Sequence, residues 1–226
     1  MAGSGARAVL FDIDGTLLST GGASDRAWKR AFKELQGVDV DVPAVTGRGV
    51  PDPEVGRVVF EKAIGREPTE EEADAVMRRR LDHLPEEVEG SPNFVVKEGV
   101  VELLERLIDD GIMLGLTTGN VEEAAHIKLA RPNLNRYFCF GGYGSDSSDR
   151  TELTRKALER GEFVSGHTLD RDLSFSCGDT PRDVDAGHGA GIRVVGVATG
   201  EYTTEELIEA GADAAVQSLV KGLPLL

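Results

Sequence analysis

Short apolar runs recur along the chain, and each ends in a cluster of small polar residues. The clearest runs cover residues 8–11, 113–116, 173–177 and 194–198, and a shorter one covers 214–216. Apolar runs of this length, bounded by turn-forming residues, are typical of strands buried on both faces. The pattern therefore predicts a sheet that is covered on both sides.

Helical patterns alternate with these runs. Residues 100–108 carry apolar side chains at helical spacing, and Gly111 supplies a stop. Thr203 and Glu206 form a capping-box pattern that opens another helix. This alternation predicts an α/β fold with a Rossmann-like parallel sheet and helices on both of its faces. In such sheets the ligand crevice lies beyond the carboxyl ends of the strands, which is where the polar clusters fall.

The segment between the first two strands has a different pattern. Residues 20–93 contain helical stretches, one of them opened by a capping-box pattern at Thr69 and Glu72, and no convincing strand. An insertion of about 70 residues is far longer than an ordinary loop. We therefore expect an all-helical domain at 20–93, hinged at its glycine-containing ends, and a core domain formed by 1–19 and 94–226.

The composition narrows the functions that this fold could serve. The 226 residues include 25 Lys and Arg against 40 Asp and Glu, a formal net charge of −15, which disfavours nucleic acid and, taken alone, any phosphorylated ligand. No run is long enough to span a bilayer, and residues 1–8 contain no apolar signal core. Cys139 and Cys177 lie in apolar runs, so we expect buried thiols in a reducing compartment. These features predict a cytoplasmic protein without nucleic-acid or membrane partners, and leave a monomer and a homodimer as alternatives.

Acidic residues at two of the strand ends change that picture. Asp12 and Asp14 follow the first run, and Asp179 and Asp183 follow the third. One pair alone could be an ordinary turn, but carboxylates that converge at one sheet edge cannot all be ionised cheaply without a cation. Such a cluster suits Mg²⁺, which keeps waters that a phosphate can replace. The cluster therefore favours a Mg²⁺ site, and with it a phosphorylated ligand, despite the negative net charge.

Three motifs together resemble one known family. The sequence Asp-Ile-Asp-Gly-Thr at 12–16 resembles the signature of the haloacid dehalogenase superfamily of phosphohydrolases, Thr118 falls where the second motif needs Ser or Thr, and Gly-Asp-Thr-Pro-Arg-Asp at 178–183 resembles the last motif. The resemblance covers roughly residues 8–200 in the right order, which is far more specific than a lone Asp-x-Asp. With a helical insertion after the first motif, the chain is similar to the helical-cap phosphatase branch, which includes phosphoglycolate phosphatase and β-phosphoglucomutase.

The resemblance implies a Mg²⁺-dependent phosphomonoester hydrolase that acts on a small phosphorylated metabolite through an aspartyl-phosphate intermediate. Asp12 would be the nucleophile, and Asp14 would be the general acid and then the general base. Mg²⁺ would be held by the Asp12 carboxylate, the Asp14 backbone carbonyl and Asp179, with Asp183 as a supporting ligand. Thr118 would hydrogen-bond a phosphoryl oxygen.

The third family motif is where this chain departs from the pattern. The family usually places a Lys ahead of the penultimate helix, whereas this chain has Arg150 there, and Lys156 lies nearly two turns further on. We expect Arg150 to bind the phosphate, because a guanidinium can do so bidentately. Lys156 is the alternative.

Two further places in the sequence could contact the substrate. Gly119 and Asn120 open the helix after the second strand, so the free N–H groups of that helix could hold an anion. Arg48, flanked by glycines in the insertion, is either a substrate contact or a surface residue.

Other functions share parts of this pattern. A sugar-phosphate mutase has both aspartates and a similar cap, and only its products would separate it from a hydrolase. A phosphonate hydrolase would need a Schiff-base lysine in the cap, where Lys29, Lys33 and Lys62 occur without a diagnostic context. A catalytically silent phosphate-binding regulatory protein is disfavoured because the motif residues are retained. A response-regulator receiver lacks the insertion, and the dehalogenase branch lacks the second acid, Asp14.

Overall fold

The structure, a computed structural model that describes residues 5–224, is built on a parallel sheet. In this part of the chain the strands are β1 (Ala8–Phe11), β2 (Leu18–Ser19), β3 (Val95–Val96), β4 (Met113–Thr118), β5 (Phe140–Tyr143), β6 (Phe175–Gly178), β7 (Arg193–Val197) and β8 (Ala214–Val216). Six of them form the sheet in the order β5-β4-β1-β6-β7-β8, and all of its pairings are parallel. The predicted fold class is confirmed.

Helices connect the strands as the sequence predicts. They are α1 (Ala23–Gln36), α2 (Val42–Val45), α3 (Asp52–Ile64), α4 (Glu70–Glu89), α5 (Val100–Asp109), α6 (Glu122–Ala130), α7 (Arg150–Ser165), α8 (Pro181–Gly189) and α9 (Thr204–Glu209). The predicted capping boxes at Thr69 and Thr203 start α4 and α9. Each hydroxyl accepts a hydrogen bond from a backbone N–H that the helix itself leaves without a partner.

The side chains of β1 explain why the sheet needs a layer on each face. Phe11 belongs to an apolar cluster with Leu104 of α5, whereas Leu10 belongs to a different cluster with Leu158 of α7. All four side chains are fully buried. Since successive strand residues point to opposite faces, a strand without exposed residues must be covered on both sides. Each buried side chain of this size contributes about 1.5–3 kcal/mol to the stability of that arrangement.

The apolar pattern does not predict the edge strand β5, because Gly141 and Gly142 interrupt it. A Cβ atom on Gly142 would lie 1.7 Å from the carbonyl oxygen of Leu153, since α7 lies directly on this strand. Cys139, just before β5, is exposed, so the expectation that it is a core thiol is wrong. Cys177 in β6 is buried as predicted.

The insertion between β2 and β3 is helical, as expected. It contains α1 to α4, which share an apolar cluster built around Trp28, Phe32 and Phe60. β2 and β3 pair antiparallel and join this insertion to the sheet. Residues 1–4 and 225–226 of the expected core domain lie outside the described residues. Within 5–224, no helix is both long and apolar enough to cross a membrane.

Candidate active site

Three buried carboxylates lie at the carboxyl edge of the sheet. Asp12 follows β1, Asp179 follows β6, and Asp183 lies in the first turn of α8. Because β1 and β6 are paired neighbours, their ends bring distant parts of the sequence together. Each carboxylate has one oxygen atom that lies within 4.8 Å of an oxygen of each of the other two. All three residues have at most 6% of their surface exposed. We call these residues the carboxylate cluster.

Burial and mutual repulsion disfavour ionisation in the carboxylate cluster. The pKa of Asp12 is raised to about 7 by burial and by repulsion from Asp183, against the opposing attraction of Arg150. Burial and repulsion from Asp12 and Asp183 raise the pKa of Asp179 to about 8. A divalent cation relieves both effects, and hard carboxylate oxygens suit Mg²⁺. The residues present therefore fit the metal that the sequence predicts.

The glycine and threonine of the first motif shape the cluster through Asp179. Gly15 has a φ of 95°, and a Cβ atom there would lie 2.2 Å from Asp179 Oδ2. Only glycine adopts this backbone conformation readily and leaves room for the carboxylate. The Thr16 hydroxyl donates to Asp179 Oδ1 at 3.3 Å. These contacts give a physical reason for the Gly-Thr that follows Asp14.

We expect Mg²⁺ affinity to rise steeply with pH. With pKa values of about 7 for Asp12 and about 8 for Asp179, both carboxyls hold protons near neutrality that a bound cation must displace. The gain should approach tenfold per pH unit for each carboxyl that is still protonated, and should decline as the pH passes the pKa of that carboxyl. Isothermal titration calorimetry at pH 6, 7 and 8, in buffers of different ionisation enthalpy, measures both the affinity and the protons released. Affinity independent of pH, without proton release, would contradict the raised pKa values.

The thermal stability of the metal-free protein provides a check on the same pKa values. Since the folded pKa values of Asp12 and Asp179 lie above the ordinary 3.8, the folded state binds more protons than the unfolded state from about pH 4 to pH 8. Their contribution to stability is present at acidic pH and is lost as the pH rises through this window. Tm in EDTA should therefore carry a component that falls from pH 5 to pH 8, and Mg²⁺ should restore it at pH 8.

Arg150 lies beside the carboxylate cluster. As the first residue of α7, it pairs through Nη2 with Asp183 and, at 3.4 Å, with Asp12. Its Nη1 donates to the carbonyl oxygen of Gly49 in the insertion at 3.0 Å. Lys156 is about half exposed and pairs with a glutamate on its own helix. The structure therefore brings Arg150, and not Lys156, to Asp12.

Asp183 is held at both of its carboxylate oxygens. Oδ2 accepts hydrogen bonds from the backbone N–H of Thr180 at 3.0 Å and from its hydroxyl at 2.8 Å, which forms the capping box of α8. Oδ1 pairs with Arg150. These contacts agree with a supporting place beside a metal, because they already use much of the capacity of this carboxylate to accept hydrogen bonds.

Asp14 faces a hydrogen-bonded network at the end of β4 rather than the carboxylate cluster. The Asn120 amide donates to Thr118 Oγ1 and to Asp14 Oδ2, each at 2.8 Å. Lys128 of α6 donates to Asp14 Oδ2 at 2.6 Å and to Asn120 Oδ1 at 2.5 Å. Burial would raise the pKa of Asp14, but attraction and hydrogen bonds from Lys128 and Asn120 outweigh it and hold that pKa below its usual value. The predicted site residues Asp14, Thr118 and Asn120 thus lie together.

The N–H groups expected to be free at the start of α6 are partly occupied. The Asn120 N–H donates to Thr118 Oγ1 at 3.3 Å, and the Val121 N–H donates to the Asp52 carboxylate at 3.0 Å. The carbonyl of Gly119 accepts from the Asp52 N–H at 2.7 Å. The helical insertion thus supplies, through Asp52, a carboxylate where the sequence predicts an anion from the substrate.

Asp52 is fixed by an arginine that the sequence analysis does not single out. Arg80 is completely buried and donates two hydrogen bonds to Asp52, at 2.9 and 3.1 Å. Its guanidinium lies 4.9 Å from the centre of the Trp28 ring. Removing one partner of such a buried pair typically costs about 3–5 kcal/mol, because the other charge remains without compensation. The pair therefore fixes the orientation of the Asp52 carboxylate, which contacts the loop before α6.

Lys128 is a candidate functional residue that the sequence analysis misses, as it misses Arg80. Its side chain is only 2% exposed, and its neighbours in α6, Ala124, Ala125 and Leu129, are buried as well. A lysine on the buried face of a helix is unusual and normally has a charged partner. That position was the available signal in the sequence, but the identity of the partner could come only from the fold.

A cavity of about 400 Å³ lies between the insertion and the sheet. Its lining includes Asp12, Asp14, Thr118, Lys128, Arg150 and Asp179 from the sheet side and Asp25, Trp28 and Arg48 from the insertion. Arg48 reaches across to Glu201 at 2.9 Å and keeps 69% of its side chain exposed, so it lies at the rim. Such a volume accommodates a small phosphate ester.

Comparisons with known proteins agree with this architecture. The family described as "Haloacid dehalogenase-like hydrolase" matches residues 9–197. A phosphoglycolate phosphatase from Agrobacterium fabrum is 27% identical over 223 residues, which covers 96% of this chain and 91% of that protein. A protein from Clostridium perfringens that is named a pyrophosphatase is 26% identical over 225 residues, and the match covers 97% of this chain and 97% of that protein. The fold also matches the β-phosphoglucomutase structure from Clostridium difficile with a TM-score of 0.73 at 18% identity, over 96% of this chain and 92% of that one.

Proposed function

The chain belongs to the haloacid dehalogenase-like hydrolase family, and we propose that it hydrolyses phosphomonoesters of small metabolites in a Mg²⁺-dependent reaction. The observation that carries this proposal is the position of Asp12, whose carboxylate lies in a buried metal-fitting cluster and 3.4 Å from the Arg150 guanidinium. A carboxylate can attack a phosphate dianion only where cations offset their repulsion, and this site provides for that. The relatives named phosphoglycolate phosphatase and pyrophosphatase support the same chemistry.

In the proposed first step, an Asp12 oxygen attacks phosphorus and the bond from phosphorus to the ester oxygen breaks. Asp14 gives a proton to the departing alkoxide, and an aspartyl-phosphate remains on Asp12. Arg150 and Thr118 hydrogen-bond the oxygens of the transferring phosphoryl group. The phosphate dianion beside Asp14 opposes the effect of Lys128 on its pKa, and so favours the protonated form that this step uses.

In the proposed second step, water attacks phosphorus and the bond to the Asp12 oxygen breaks. The Asp14 carboxylate takes a proton from that water, which returns both aspartates to their starting states and releases inorganic phosphate. The lowered pKa of Asp14 keeps its carboxylate ionised, so it is free to accept this proton.

The metal is proposed to be held by the carboxylates of Asp12 and Asp179 and by the backbone carbonyl of Asp14. When bound, Mg²⁺ supplies positive charge that screens the repulsion between carboxylate and phosphate. Asp183 supports the site by orienting Arg150, with which it pairs.

We propose further that residues 20–93 form a cap over a core domain of residues 1–19 and 94–226. Contacts from Gly49 to Arg150 and from Asp52 to Val121 join the two parts over the site. A cap that closes over bound substrate would exclude water from the first step, and its opening would admit the water of the second step. Gly119 and Asn120 line the cavity on the sheet side and Arg48 lines its rim, where each would contact the substrate.

The structure disfavours one of the alternatives, and the reaction products separate another from the proposal. The cap lysines Lys29, Lys33 and Lys62 are exposed and do not line the cavity, which disfavours a phosphonate hydrolase with a Schiff-base lysine. A sugar-phosphate mutase would return an isomeric phosphate rather than inorganic phosphate. The proposal also places the enzyme in a reducing cytoplasm, where its two free cysteines remain thiols.

The proposed function is tested by incubating the purified protein with a panel of phosphomonoesters that includes 2-phosphoglycolate, hexose phosphates and p-nitrophenyl phosphate. We expect release of inorganic phosphate that requires Mg²⁺ and stops in EDTA. Phosphorus NMR of each product mixture distinguishes hydrolysis from isomerisation. Isomerised esters without phosphate release would favour the mutase, and no turnover on any ester would contradict the proposal.

A further inference from the structure

Asp14 is anchored through only one of its two carboxylate oxygens. Oδ2 accepts hydrogen bonds from Lys128 at 2.6 Å and from Asn120 at 2.8 Å. No residue within 5–224 donates to Oδ1. Asp14 lies deep in the protein, yet about 35% of its side chain is accessible because it lines the cavity. The geometry leaves Oδ1 available on the cavity side.

Lys128 and Asn120, which we call the anchor of Asp14, form a hydrogen-bonded network in which the donors of one group fix the orientation of the next. The Asn120 amide must present its oxygen to Lys128, because an ammonium group only donates. Its NH₂ group is then directed to Asp14 and Thr118. Lys128 is buried, so its charge is stabilised mainly by these two partners. Such a network restricts the carboxylate of Asp14 to one orientation.

We propose that Lys128 is a positioning residue that, together with Asn120, holds Asp14 so that Oδ1 meets the leaving-group oxygen. The inference rests on the proposed function, in which Asp14 transfers the proton. Lys128 then acts through Asp14 and does not itself touch the substrate. A general acid contributes only when it lies within hydrogen-bond reach of its target, so loss of the anchor costs part of that contribution.

This role predicts that the effect of Lys128 depends on the leaving group. Alkyl phosphates release a strongly basic alkoxide that needs a proton, whereas p-nitrophenyl phosphate releases a stable phenolate that does not. Lys128→Met keeps the length of the side chain and removes its charge. We expect kcat/KM to fall about 10²-fold for alkyl phosphates and only a few-fold for p-nitrophenyl phosphate. Asp14→Asn should show the same pattern.

The decisive measurement is the double variant Lys128→Met with Asp14→Asn. If Lys128 acts through Asp14, the double variant should hydrolyse alkyl phosphates no more slowly than Asp14→Asn alone. The matched control is Lys156→Met, which removes an exposed charge from the surface of α7. It should behave as the wild type on both substrates. Thermal melts of each variant identify any loss of folded protein.

Two outcomes would overturn this inference and leave the proposed function standing. An equal loss on both ester classes, seen mainly as a higher KM, would mean that Lys128 binds the phosphate group directly. Additive losses in the double variant would mean that Lys128 acts independently of Asp14. Absence of turnover by the wild type on either ester would instead contradict the proposed function and, with it, a role for Lys128 in positioning a proton donor.

Discussion

Replacing Asp12 with Asn should lower kcat by on the order of 10⁴-fold or more, the largest loss that we expect from any single substitution. The amide is nearly isosteric with the carboxylate, but it cannot attack phosphorus to form an acyl phosphate. Asp12 is also a proposed metal ligand, so the variant should need more Mg²⁺. At saturating Mg²⁺ it should bind substrate with a KM near that of the wild type, because Arg150 and Thr118 stay in place. Mg²⁺-dependent phosphate release, measured over a range of substrate concentrations, checks both expectations.

The stability of the Asp12→Asn variant separates lost chemistry from lost structure. Burial and repulsion from Asp183 raise the pKa of Asp12, so the neutral amide should leave Tm in EDTA at pH 8 unchanged or higher. Asp74→Asn, an exposed position on α4, is the matched control and should keep full activity. Activity that survives in Asp12→Asn would exclude Asp12 as the nucleophile.

The sheet could be predicted from the sequence because its strands are short, apolar and separated by amphipathic helices. The edge strand β5 escaped prediction for a physical reason. Gly142 has no side chain because the backbone of α7 occupies that space. A search for runs of apolar residues therefore misses a strand on which a helix lies this closely. Cys139 is exposed because it lies beside this edge strand. The local sequence pattern does not show which position a strand takes in the sheet.

The site residues that could be named from the sequence are those at strand ends. A parallel sheet brings strand ends together whatever the details, so the proximity of Asp12, Asp179 and Asp183 follows from topology. Partners that come from helices depend instead on helix rotation and packing. Lys128 meets Asp14 across 114 positions of sequence, and Asp52 meets Val121 across 69. Neither contact has a local motif, so both required the structure.

Replacing Arg150 with Ala should lower kcat/KM by about 10³-fold, the second largest loss that we expect. Arg150 pairs with Asp12 and Asp183 and would stabilise the negative charge that spreads over the phosphoryl oxygens as Asp12 attacks. About 10³-fold corresponds to about 4 kcal/mol of transition-state stabilisation. Arg150→Lys keeps the charge but loses the second donor arm, so it should recover part of the loss and not all of it. Steady-state kinetics on one ester at saturating Mg²⁺ compares the three enzymes.

The control for this prediction lies on the same helix. Lys156→Ala removes a cation six residues further along α7, where the side chain is exposed and pairs only with a glutamate, and it should change kcat/KM less than about twofold. Arg150→Ala also leaves two buried carboxylates without their cation, so its Tm should fall, and Mg²⁺ should recover part of that loss. A folded Arg150→Ala protein with no greater kinetic defect than Lys156→Ala would show that the phosphate is neutralised elsewhere. Because Arg150→Lys keeps the buried charge, a kinetic defect in that variant at unchanged Tm cannot be attributed to unfolding and would instead reflect the lost guanidinium contacts.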